Sequence, residues 1–410
     1  MKIRIKNFGP IKDGLLENNG WIIISKNTIF IGNQGSGKST IAKLISTFMW
    51  IEKALTRGDF DEKWITRKNR FRNHFLSYHR LENYFHTDKE TTIEYKGDAY
   101  HFIYENDNFK IITNLDGNYQ LPQIMYIPSE RNFISYVKTP NELKLSSEAL
   151  NEFLTEFNNA KNALKSSVFF PINDLLIEYD KLNDVVNLKG SDYKVFLTES
   201  SSGFQSAIPL FLVTNYLTNS VDSKTNHRES MSIDEQLRFR MNVDKIWSDK
   251  NLTDEQKRIA ISTLSNKFNK SVFFNIVEEP EQNLFPDSQL EIIKNLVSNN
   301  NKIVGNKLII TSHSPYLLSF LGIMIESYTL FNKAKKNKND VVQKKLIEIL
   351  DFDLFIKPSD VSIYEMNDMK GTLKLLPNFE GIPSDMNSLN LGLRKSNEFF
   401  DKLLELEEEL

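Results

Sequence analysis

The chain has 410 residues, of which 40% are hydrophobic and 26% are charged, and its formal net charge at pH 7 is −3. This length allows a large buried core divided into two or three lobes. The absence of cysteine excludes disulfides and thiolate metal sites and is typical of a reducing compartment, so we expect a cytoplasmic protein. Met1–Lys6 has a strand pattern rather than the apolar stretch of a signal peptide. No run of about 18 apolar residues occurs, and we expect no membrane-spanning helix.

A glycine-rich segment, which we call the P-loop, reads Gly-Asn-Gln-Gly-Ser-Gly-Lys-Ser over residues 32–39 and matches the complete pattern G-x-x-x-x-G-K-[ST]. The apolar runs Trp21–Ile24 and Thr28–Ile31 precede it and predict buried strands. Apolar residues follow it at helical spacing from Ile41 to Met49 and predict an amphipathic helix. Such a strand, turn and helix form an anion cradle, because backbone N–H groups and the helix dipole point at phosphate.

The P-loop match assigns individual roles to its residues. Lys38 is expected to reach the β- and γ-phosphates, and the Ser39 hydroxyl is expected to ligate Mg²⁺. The alternative is a chance glycine-rich turn, which at average composition matches this pattern in about one in a hundred chains of this length. The sequence therefore predicts a nucleoside triphosphate site. The predicted nucleotide-binding residues are Gly32, Asn33, Gln34, Gly35, Ser36, Gly37, Lys38, Ser39 and Thr40.

The segment Lys63–Arg80, which we call the basic aromatic segment, contains no acidic residue. Basic residues neutralise phosphates and aromatic rings stack on bases, so the segment is a candidate site for nucleic acid. The alternative is an amphipathic helix with its aromatic rings in the core and its basic face in water or against an acidic partner. Its basic residues are Lys63, Arg67, Lys68, Arg70, Arg72 and Arg80, and Trp64, Phe71, Phe75 and Tyr78 are interleaved with them.

The middle of the chain predicts a β lobe and then an insertion. Thr91–Tyr95, Tyr100–Glu105 and Lys110–Thr113 alternate between polar and apolar residues and are separated by polar turns, so they predict an antiparallel meander. Glu142–Leu188 is interpreted as mostly helical and predicts an inserted arm, too short for a long heptad array. Val221–Lys257 is polar and charged and predicts a mobile insertion.

The C-terminal half carries an acidic pair at a strand end. The apolar run Ser271–Val277 predicts a buried strand and continues directly into Glu278 and Glu279. P-loop ATPases hold Mg²⁺ and position the attacking water with acidic residues in such a place. The alternative, two solvated glutamates that open a loop, fits poorly with so apolar a strand. A second apolar strand, Lys307–Thr311, leads to His313, which would lie near the nucleotide.

Two further segments complete the C-terminal half. Val361–Met366 and Thr372–Leu376 bracket a polar turn and predict a β-hairpin. Ser396–Leu410 predicts an acidic terminal helix. Between the two halves of the chain lies Glu199–Ser206, a serine-rich stretch with a glycine and a glutamine, followed by an apolar helical run. Taken alone, this stretch would be a linker or a helix N-cap.

Four features, in their order along the chain, resemble the ATP-binding-cassette (ABC) class. They are the P-loop, the Ser-Gly-x-Gln stretch, the acidic strand end and the histidine. The closer resemblance is to the OLD-like and Rad50-like branch, soluble bacterial ATPases that include the ATPase subunits of the Septu and PARIS anti-phage systems. It spans nearly the whole chain. The segments that carry it are Met1–Gly9, the P-loop, Tyr126–Asn132, Ser202–Gln205, Glu278–Pro286 and Thr311–Pro315.

The resemblance implies an α/β fold, an ABC-type P-loop ATPase head with a mixed or parallel core sheet, an antiparallel β lobe and a helical insertion. Residues 1–140 would form the N-terminal half of the head, 141–198 the helical insertion, and 199–410 the C-terminal half. ATP and Mg²⁺ would be the cofactors. The class sandwiches ATP between two heads, so the resemblance also implies a homodimer or higher oligomer.

The resemblance also implies roles for single residues. Glu278 would be the Mg²⁺-associated acid, Glu279 the catalytic base and His313 the switch histidine, with Lys38 as the phosphate-binding cation of the catalytic set. The signature segment, which we define as Ser202–Gln205, would contact the nucleotide held by the partner head. Its predicted contact residues are Ser202, Gly203 and Gln205.

The sequence departs from the family pattern at several positions. Glu278 stands where an aspartate is usual, and Phe204 stands where transporter cassettes have a second glycine. Pro209 is expected to kink the signature helix. No glutamine follows the strand before Tyr126–Asn132, and the candidates to replace it are Ser129, Glu130 and Arg131.

No nuclease pattern accompanies the ATPase motifs. OLD proteins add a C-terminal metal-dependent nuclease domain, but the residues after His313 lack its acidic pattern. The prediction is therefore an ATPase that senses for or regulates a separately encoded effector, such as a nuclease, in phage defence. The alternatives are a DNA-repair or nucleic-acid-processing ATPase that acts directly on DNA, and an ATP-binding scaffold that does not hydrolyse.

Overall fold

A computed structural model gives the fold and describes residues 1–114, 119–143, 145–222, 233–249, 257 and 270–408. Of the insertion predicted at Val221–Lys257, residues 223–232 and 250–256 lie outside this part. The strands are β1 (Lys2–Lys6), β2 (Gly14–Leu15), β3 (Ile22–Ile23), β4 (Asn27–Gly32), β5 (Thr92–Lys96), β6 (Tyr100–Glu105), β7 (Asn108–Thr113), β8 (Pro122–Ile127), β9 (Val168–Phe170), β10 (Leu175–Asp180), β11 (Val185–Lys189), β12 (Lys194–Phe196), β13 (Val272–Glu278), β14 (Lys307–Ser312), β15 (Val361–Asn367), β16 (Thr372–Leu375), β17 (Asn378–Phe379) and β18 (Ile382–Pro383). The helices are α1 (Lys38–Arg57), α2 (Glu62–Ile65), α3 (Phe133–Tyr136), α4 (Glu148–Ala163), α5 (Ser202–Asp222), α6 (Ile233–Ser248), α7 (Pro286–Asn301), α8 (Pro315–Lys336), α9 (Asp340–Ile349) and α10 (Ser388–Glu408).

A seven-stranded mixed sheet forms the centre of the molecule, with the strand order β2-β16-β15-β4-β14-β13-β8. Five adjacent strands of this sheet run parallel to one another: β15, β4, β14, β13 and β8. Strand β16 is antiparallel to β15. Every residue of β4, β8 and β13 is buried, which explains their continuous apolar runs. The predicted α/β class with a mixed core sheet is confirmed.

The central sheet aligns the ends of the strands that carry the motifs. In the register of the sheet, Thr311 of β14 lies between Phe30 of β4 and Glu278 of β13. The carboxyl ends of parallel neighbours meet at one edge of a sheet. The P-loop after β4, the acidic pair at the end of β13 and His313 after β14 therefore meet at the same edge.

The predicted antiparallel lobe is present as a five-stranded sheet with the order β3-β1-β5-β6-β7. Helix α1 packs between this lobe and the central sheet, and its Phe48 ring stacks on Tyr95 with 5.3 Å between the ring centroids. One carboxylate of α1, Glu52, is fully buried here and accepts hydrogen bonds from the backbone N–H groups of Ala99 and Tyr100, at 2.7 and 3.1 Å. Burial raises the pKa of Glu52 to about 7.

The inserted segment differs from its prediction. Helix α4 is present, but a four-stranded antiparallel sheet with the order β12-β11-β10-β9 follows it, so the mostly helical interpretation of Glu142–Leu188 is wrong in its second half. The turn before β11 explains the difference: Asp180 accepts hydrogen bonds from the backbone N–H groups of Leu182 and Asn183, and Asp184 has a φ of 50°. Such Asx turns reverse the chain tightly and favour a hairpin.

The C-terminal hairpin is confirmed as β15 and β16, and β15 adds to the central sheet beside β4. Helix α10 begins at Ser388, eight residues before the predicted start at Ser396. Pro209 lies inside α5 without ending it, since the helix continues to Asp222. Among the helices in the described part of the chain, none has the length and apolar character needed to cross a membrane.

Candidate functional site

The P-loop joins the end of β4 to the start of α1 as a tight glycine-rich turn. Gly32 and Gly37 have φ values of 145° and 102°, a region that disfavours other residues. A Cβ atom on Gly32 would lie 2.8 Å from the Met366 carbonyl oxygen, so a side chain there would also clash. Within the turn, the Ser36 hydroxyl donates to the Asn33 carbonyl oxygen at 2.7 Å. The loop is thereby held as a compact cradle at the N-terminus of a 20-residue helix.

Lys38 lies at the centre of the P-loop and is only 4% exposed. Its Nζ donates to the carbonyl oxygens of Gly32 and Asn33 at 2.9 and 2.8 Å, and it lies 3.5 Å from Nδ1 of His313. Burial lowers the pKa of Lys38 to about 8, and the neighbouring glutamates, Glu279 first, oppose this shift. A phosphate group would supply the negative charge that favours the ammonium form.

A cleft of about 590 Å³ opens over the P-loop, a volume within the range of small-molecule sites. All three predicted catalytic residues, Lys38, Glu279 and His313, line it. A further part of the lining was not predicted and comes from Gly9–Pro10 and Asn83–His86, where the Gly9 N–H donates to the Tyr84 carbonyl oxygen at 2.8 Å. The P-loop residues in the lining are Gln34, Gly35, Gly37, Lys38 and Ser39, with Thr40 beside them.

Glu278 ends β13 and is 1% exposed. Its Oε2 accepts a hydrogen bond from the Ser129 N–H at 3.1 Å, whereas its Oε1 is buried and has no hydrogen-bond partner in the described part of the chain. An unpartnered buried carboxylate oxygen is costly, and a hard cation or its bound water would satisfy it. Ser39 lines the cleft and Glu278 does not, so the place of Glu278 at Mg²⁺ stays a prediction.

A dedicated protein cage for a metal is absent from the described residues, which contain no group of three or more His, Asp or Glu side chains placed to hold one ion. Mg²⁺ commonly uses one or two protein ligands and takes the rest from phosphate oxygens and water. Ser39 and Glu278 are the two protein ligands predicted for that mode of binding.

Glu279 and His313 form a pair at the ends of β13 and β14. Oε1 of Glu279 lies 3.3 Å from Nε2 of His313, and the hydrogen bond from the imidazole lowers the pKa of Glu279. The Glu279 backbone has a φ of 43° and its N–H donates to the Thr311 carbonyl oxygen at 2.9 Å, which turns the side chain away from the strand and into the cleft. An ionised carboxylate in this position can accept a proton from water.

Glu281 supports this pair, although no role was predicted for it. Its buried carboxylate accepts hydrogen bonds from the Ser312 hydroxyl at 2.8 Å and from the His313 N–H at 2.6 Å. Burial raises the pKa of Glu281. Glu281 therefore fixes the backbone that presents the histidine. The only sequence signal was its position three residues after Glu278.

Arg131 is fully buried beneath the acidic strand end. Its guanidinium donates to the carbonyl oxygens of Glu278 and Glu279, each at 2.6 Å, and its Nε donates to the Ser206 carbonyl oxygen at 3.2 Å. Burial lowers the pKa of Arg131 to about 10, and the nearby glutamates oppose this shift. Of the three candidates to replace the missing glutamine, Ser129 contacts the Glu278 carboxylate and Arg131 links the acidic strand end to α5.

The signature segment lies outside the cleft of its own chain. Ser202 begins α5 and is exposed, and a Cβ atom on Gly203 would lie 2.7 Å from the Asn283 carbonyl oxygen. The start of α5 therefore packs closely on the loop that follows the acidic pair. Gln205 is buried, and its amide donates to the carbonyl oxygens of Thr198 and Ser200 at 3.0 and 3.1 Å. A nucleotide contact for these residues stays a prediction and requires a second subunit.

The basic aromatic segment does not form one amphipathic helix. It contains part of α2 and a short π-helical stretch, Phe71–Leu76. Phe71 and Phe75 are 2% and 4% exposed, and Arg70 covers the Trp64 ring with 4.1 Å from the guanidinium carbon to the ring centroid. These rings are occupied within the protein, so the packing favours the core alternative over base stacking.

No protein-family model and no curated protein matches the chain. Among solved structures, the SMC head domain from Thermotoga maritima is 11% identical with a TM-score of 0.32, over 92% of this chain and 98% of that one. An Smc head domain with an extended coiled coil, bound to the C-terminal domain of ScpA and derived from Pyrococcus furiosus, is 11% identical with a TM-score of 0.33, over 98% of both chains. A dimeric ATP-binding cassette in a post-hydrolysis state, bound to ADP and Pi, is 10% identical with a TM-score of 0.28, over 92% of this chain and 100% of that one. These values are low, so the function has to be inferred from the residues of the site.

Proposed function

We propose that the chain is an ABC-type ATPase head that binds Mg-ATP in the cleft and hydrolyses it to ADP and phosphate. The observation that carries this proposal is a continuous row of three side chains over the P-loop. Nζ of Lys38 lies 3.5 Å from Nδ1 of His313, and Nε2 of the same histidine lies 3.3 Å from Oε1 of Glu279. A phosphate-binding cation, a polar relay and an ionised base are thus aligned along one wall of the cleft.

Each residue of the site has a step in this reaction. The P-loop N–H groups and Lys38 would hold the β- and γ-phosphates, and Ser39 and Glu278 would hold Mg²⁺, which neutralises charge on the phosphates. Glu279 would accept a proton from the water that attacks the γ-phosphorus. His313 orients the Glu279 carboxylate through their hydrogen bond and lies close enough to Lys38 to approach the γ-phosphate.

We place a second copy of the chain opposite the cleft. Ser202 is exposed at the N-terminus of α5, a 21-residue helix whose dipole favours an anion at that end. No residue of the signature segment lines the cleft of its own chain, and the start of the segment packs on the Asn283 loop. In a homodimer in which each signature segment faces the partner's P-loop, one ATP would contact the P-loop of one subunit and the signature segment of the other. This is the composite site that the motif order implies.

The biological role we propose is regulation of a separate effector in phage defence, as an ATPase of the OLD-like and Rad50-like branch. Its support is the ordered set of motifs and the lack of a metal-binding acidic cluster among the described residues. The inserted sheet offers a surface for such a partner, because Phe169, Tyr193 and Phe196 are 56%, 49% and 45% exposed. The occupation of the basic aromatic rings within the protein argues against the second candidate, an ATPase that acts directly on DNA.

Phosphate release by the purified chain tests these functions together. We expect Mg-ATP hydrolysis that is unchanged by plasmid or single-stranded DNA, and we expect both DNAs to remain intact with Mg²⁺ or Mn²⁺. Hydrolysis that DNA stimulates would support the DNA-acting candidate instead. Tight ATP binding without phosphate release would support the scaffold. Metal-dependent cleavage of DNA by the isolated chain would contradict the need for a separate effector.

A further inference from the structure

Helix α10 is fixed to the rest of the protein at its start and is open to solvent beyond it. The N–H groups of Leu389 and Asn390 donate to the Asn387 side-chain oxygen at 3.0 and 3.1 Å, and Leu389 packs against the core. The helix has 21 residues, which corresponds to about 30 Å along its axis. Every residue from Lys395 to Glu407 is exposed, so more than half of the helix faces water.

The exposed part of α10 carries a continuous apolar surface, which we call the α10 face. Its residues recur at helical spacing and are 45–65% exposed: Phe399, Phe400, Leu403, Leu404 and Leu406. A single exposed apolar residue is normal on a protein surface, but a contiguous patch of large side chains marks a site of interaction with another protein or a membrane. An amphipathic helix also gains most of its stability when such a face is packed.

The charges of α10 are divided between its two halves. Residues 388–397 contain Arg394 and Lys395 and no acid, and Arg394 is paired with Asp385 at 3.1 Å while Lys395 is exposed. Residues 398–408 contain one lysine and an excess of acidic residues, which are Glu398, Asp401, Glu405, Glu407 and Glu408. The acidic half disfavours a membrane as the partner, because anionic lipids attract basic amphipathic helices and repel acidic ones.

This division of charge fits a second copy of α10 in antiparallel orientation. A pair centred on Asp401 places Lys395 of each copy beside Glu407 of the other, where opposite charges attract. The same register sets Phe399 of each copy opposite Leu403 of the other, so the two apolar faces meet. A parallel pair would instead align the acidic halves of both copies, which repel each other.

The area of the α10 face suits a weak dimer. Five half-exposed Phe and Leu side chains offer roughly 500 Å² of surface per copy. A pair would therefore bury about 1,000 Å² in total, which is near the lower limit for a specific interface between proteins. An interface of this size corresponds to a dissociation constant in the micromolar range, about 1–100 µM.

We propose that α10 is a self-association element, through which two copies of the chain pair in antiparallel orientation without nucleotide. No residue of the α10 face lines the cleft over the P-loop. The contact is thus additional to the ATP-dependent homodimer proposed above and does not depend on it.

The test is sedimentation equilibrium of the full chain without nucleotide, in the Lys38→Ala background, so that ATP cannot join the subunits. We expect a monomer–dimer equilibrium with a Kd of about 1–100 µM. Leu403→Lys, in the middle of the α10 face, is expected to weaken the dimer at least about 100-fold, because it places a charge in the apolar contact. Val341→Lys changes an equally exposed apolar residue on α9 and is expected to leave the Kd unchanged. A monomer at about 300 µM, or equal effects of the two variants, would overturn the proposal.

Cysteine cross-linking tests the orientation, because the chain has no cysteine of its own. Ser396→Cys and Leu406→Cys lie opposite each other in the antiparallel register, so a mixture of the two variants should form a disulfide between chains, whereas neither variant should cross-link with itself. Lys395→Glu should weaken the dimer about tenfold, and adding Glu407→Lys and Glu408→Lys should restore it. Cross-linking of each variant only with itself, or no restoration by the charge exchange, would contradict the antiparallel pair.

Discussion

Glu279 and His313 face each other across two adjacent parallel strand ends, with 3.3 Å between Oε1 of the glutamate and Nε2 of the imidazole. Neither the end of β13 nor the end of β14 would alone bring these two side chains together. The turn at Glu279 has a positive φ, and the backbone of His313 is held by the buried carboxylate of Glu281. The pair therefore depends on the register of β13 and β14 and on the hydrogen bonds beneath them.

Lys38→Ala is expected to abolish ATP binding, because the triphosphate would lose the cation at the centre of the P-loop. The affinity for Mg-ATP, measured by isothermal titration, should fall at least about 100-fold. Lys43→Ala is a matched control, since Lys43 is a lysine of the same helix and does not line the cleft. Unchanged affinity in Lys38→Ala would show that the nucleotide binds elsewhere.

Arg131→Met is expected to destabilise the fold and not only the reaction. It removes the donors to the carbonyl oxygens of Glu278, Glu279 and Ser206 and leaves these groups buried. The free energy of unfolding, from urea titration, should fall by about 3 kcal/mol. Arg67→Met on the exposed surface is the control and should change stability by less than about 0.5 kcal/mol. Equal stability of the two variants would contradict the bridging role of Arg131.

Glu52 is expected to make the free energy of unfolding depend on pH, independently of the cleft over the P-loop. Its pKa is raised to about 7 in the folded chain, so the folded state binds this proton more tightly than the unfolded state. Stability from this group is complete below its unfolded pKa and is lost as pH rises through about 7. Between about pH 5 and pH 8, the wild type should lose roughly 3 kcal/mol relative to Glu52→Gln. Parallel stability–pH curves for the two proteins would show that Glu52 is not the cause.

The composite site predicts complementation between two inactive variants. Ser202→Arg should bind ATP but fail to hydrolyse it, because the arginine blocks the face presented to the partner's nucleotide. A one-to-one mixture with Lys38→Ala should recover about a quarter of wild-type activity, since half of the dimers are mixed and each holds one intact site. Asn219→Arg, exposed near the other end of α5, should remain active. A mixture that never recovers activity would argue against a site shared between subunits.

Much of the site could be predicted from local sequence. The P-loop and the apolar strand before Glu278 are continuous patterns in the sequence. Neighbouring parallel strands place their carboxyl ends at the same edge of a sheet, however far apart they lie along the chain. Arg131, Glu281 and Tyr84 could not be assigned in this way. They come from turns whose positions depend on the packing of distant elements, as when Arg131 reaches the carbonyl oxygens of residues almost 150 positions later.

The inserted segment shows a second limit. Helix α4 has strong helical periodicity and was predicted, but β9–β12 are short strands of three to six residues. Their signal lies in the Asx turn at Asp180 and in positive φ angles at Asn173 and Asp184. An Asn or Asp in such a place is compatible with both a loop and a hairpin, and the packing of the inserted sheet decides between them.

The central claim is that Glu279 is the base for ATP hydrolysis in this cleft. Its most direct test is phosphate release from Mg-ATP by wild type, Glu279→Gln and Glu278→Gln, with ATP affinity measured on the same samples. Glu279→Gln should bind ATP as the wild type does and hydrolyse it about 10²–10⁴-fold more slowly, whereas Glu278→Gln should lose the Mg²⁺ dependence of binding. Normal hydrolysis by Glu279→Gln, with Glu278→Gln inactive, would contradict the assignment and exchange the two roles.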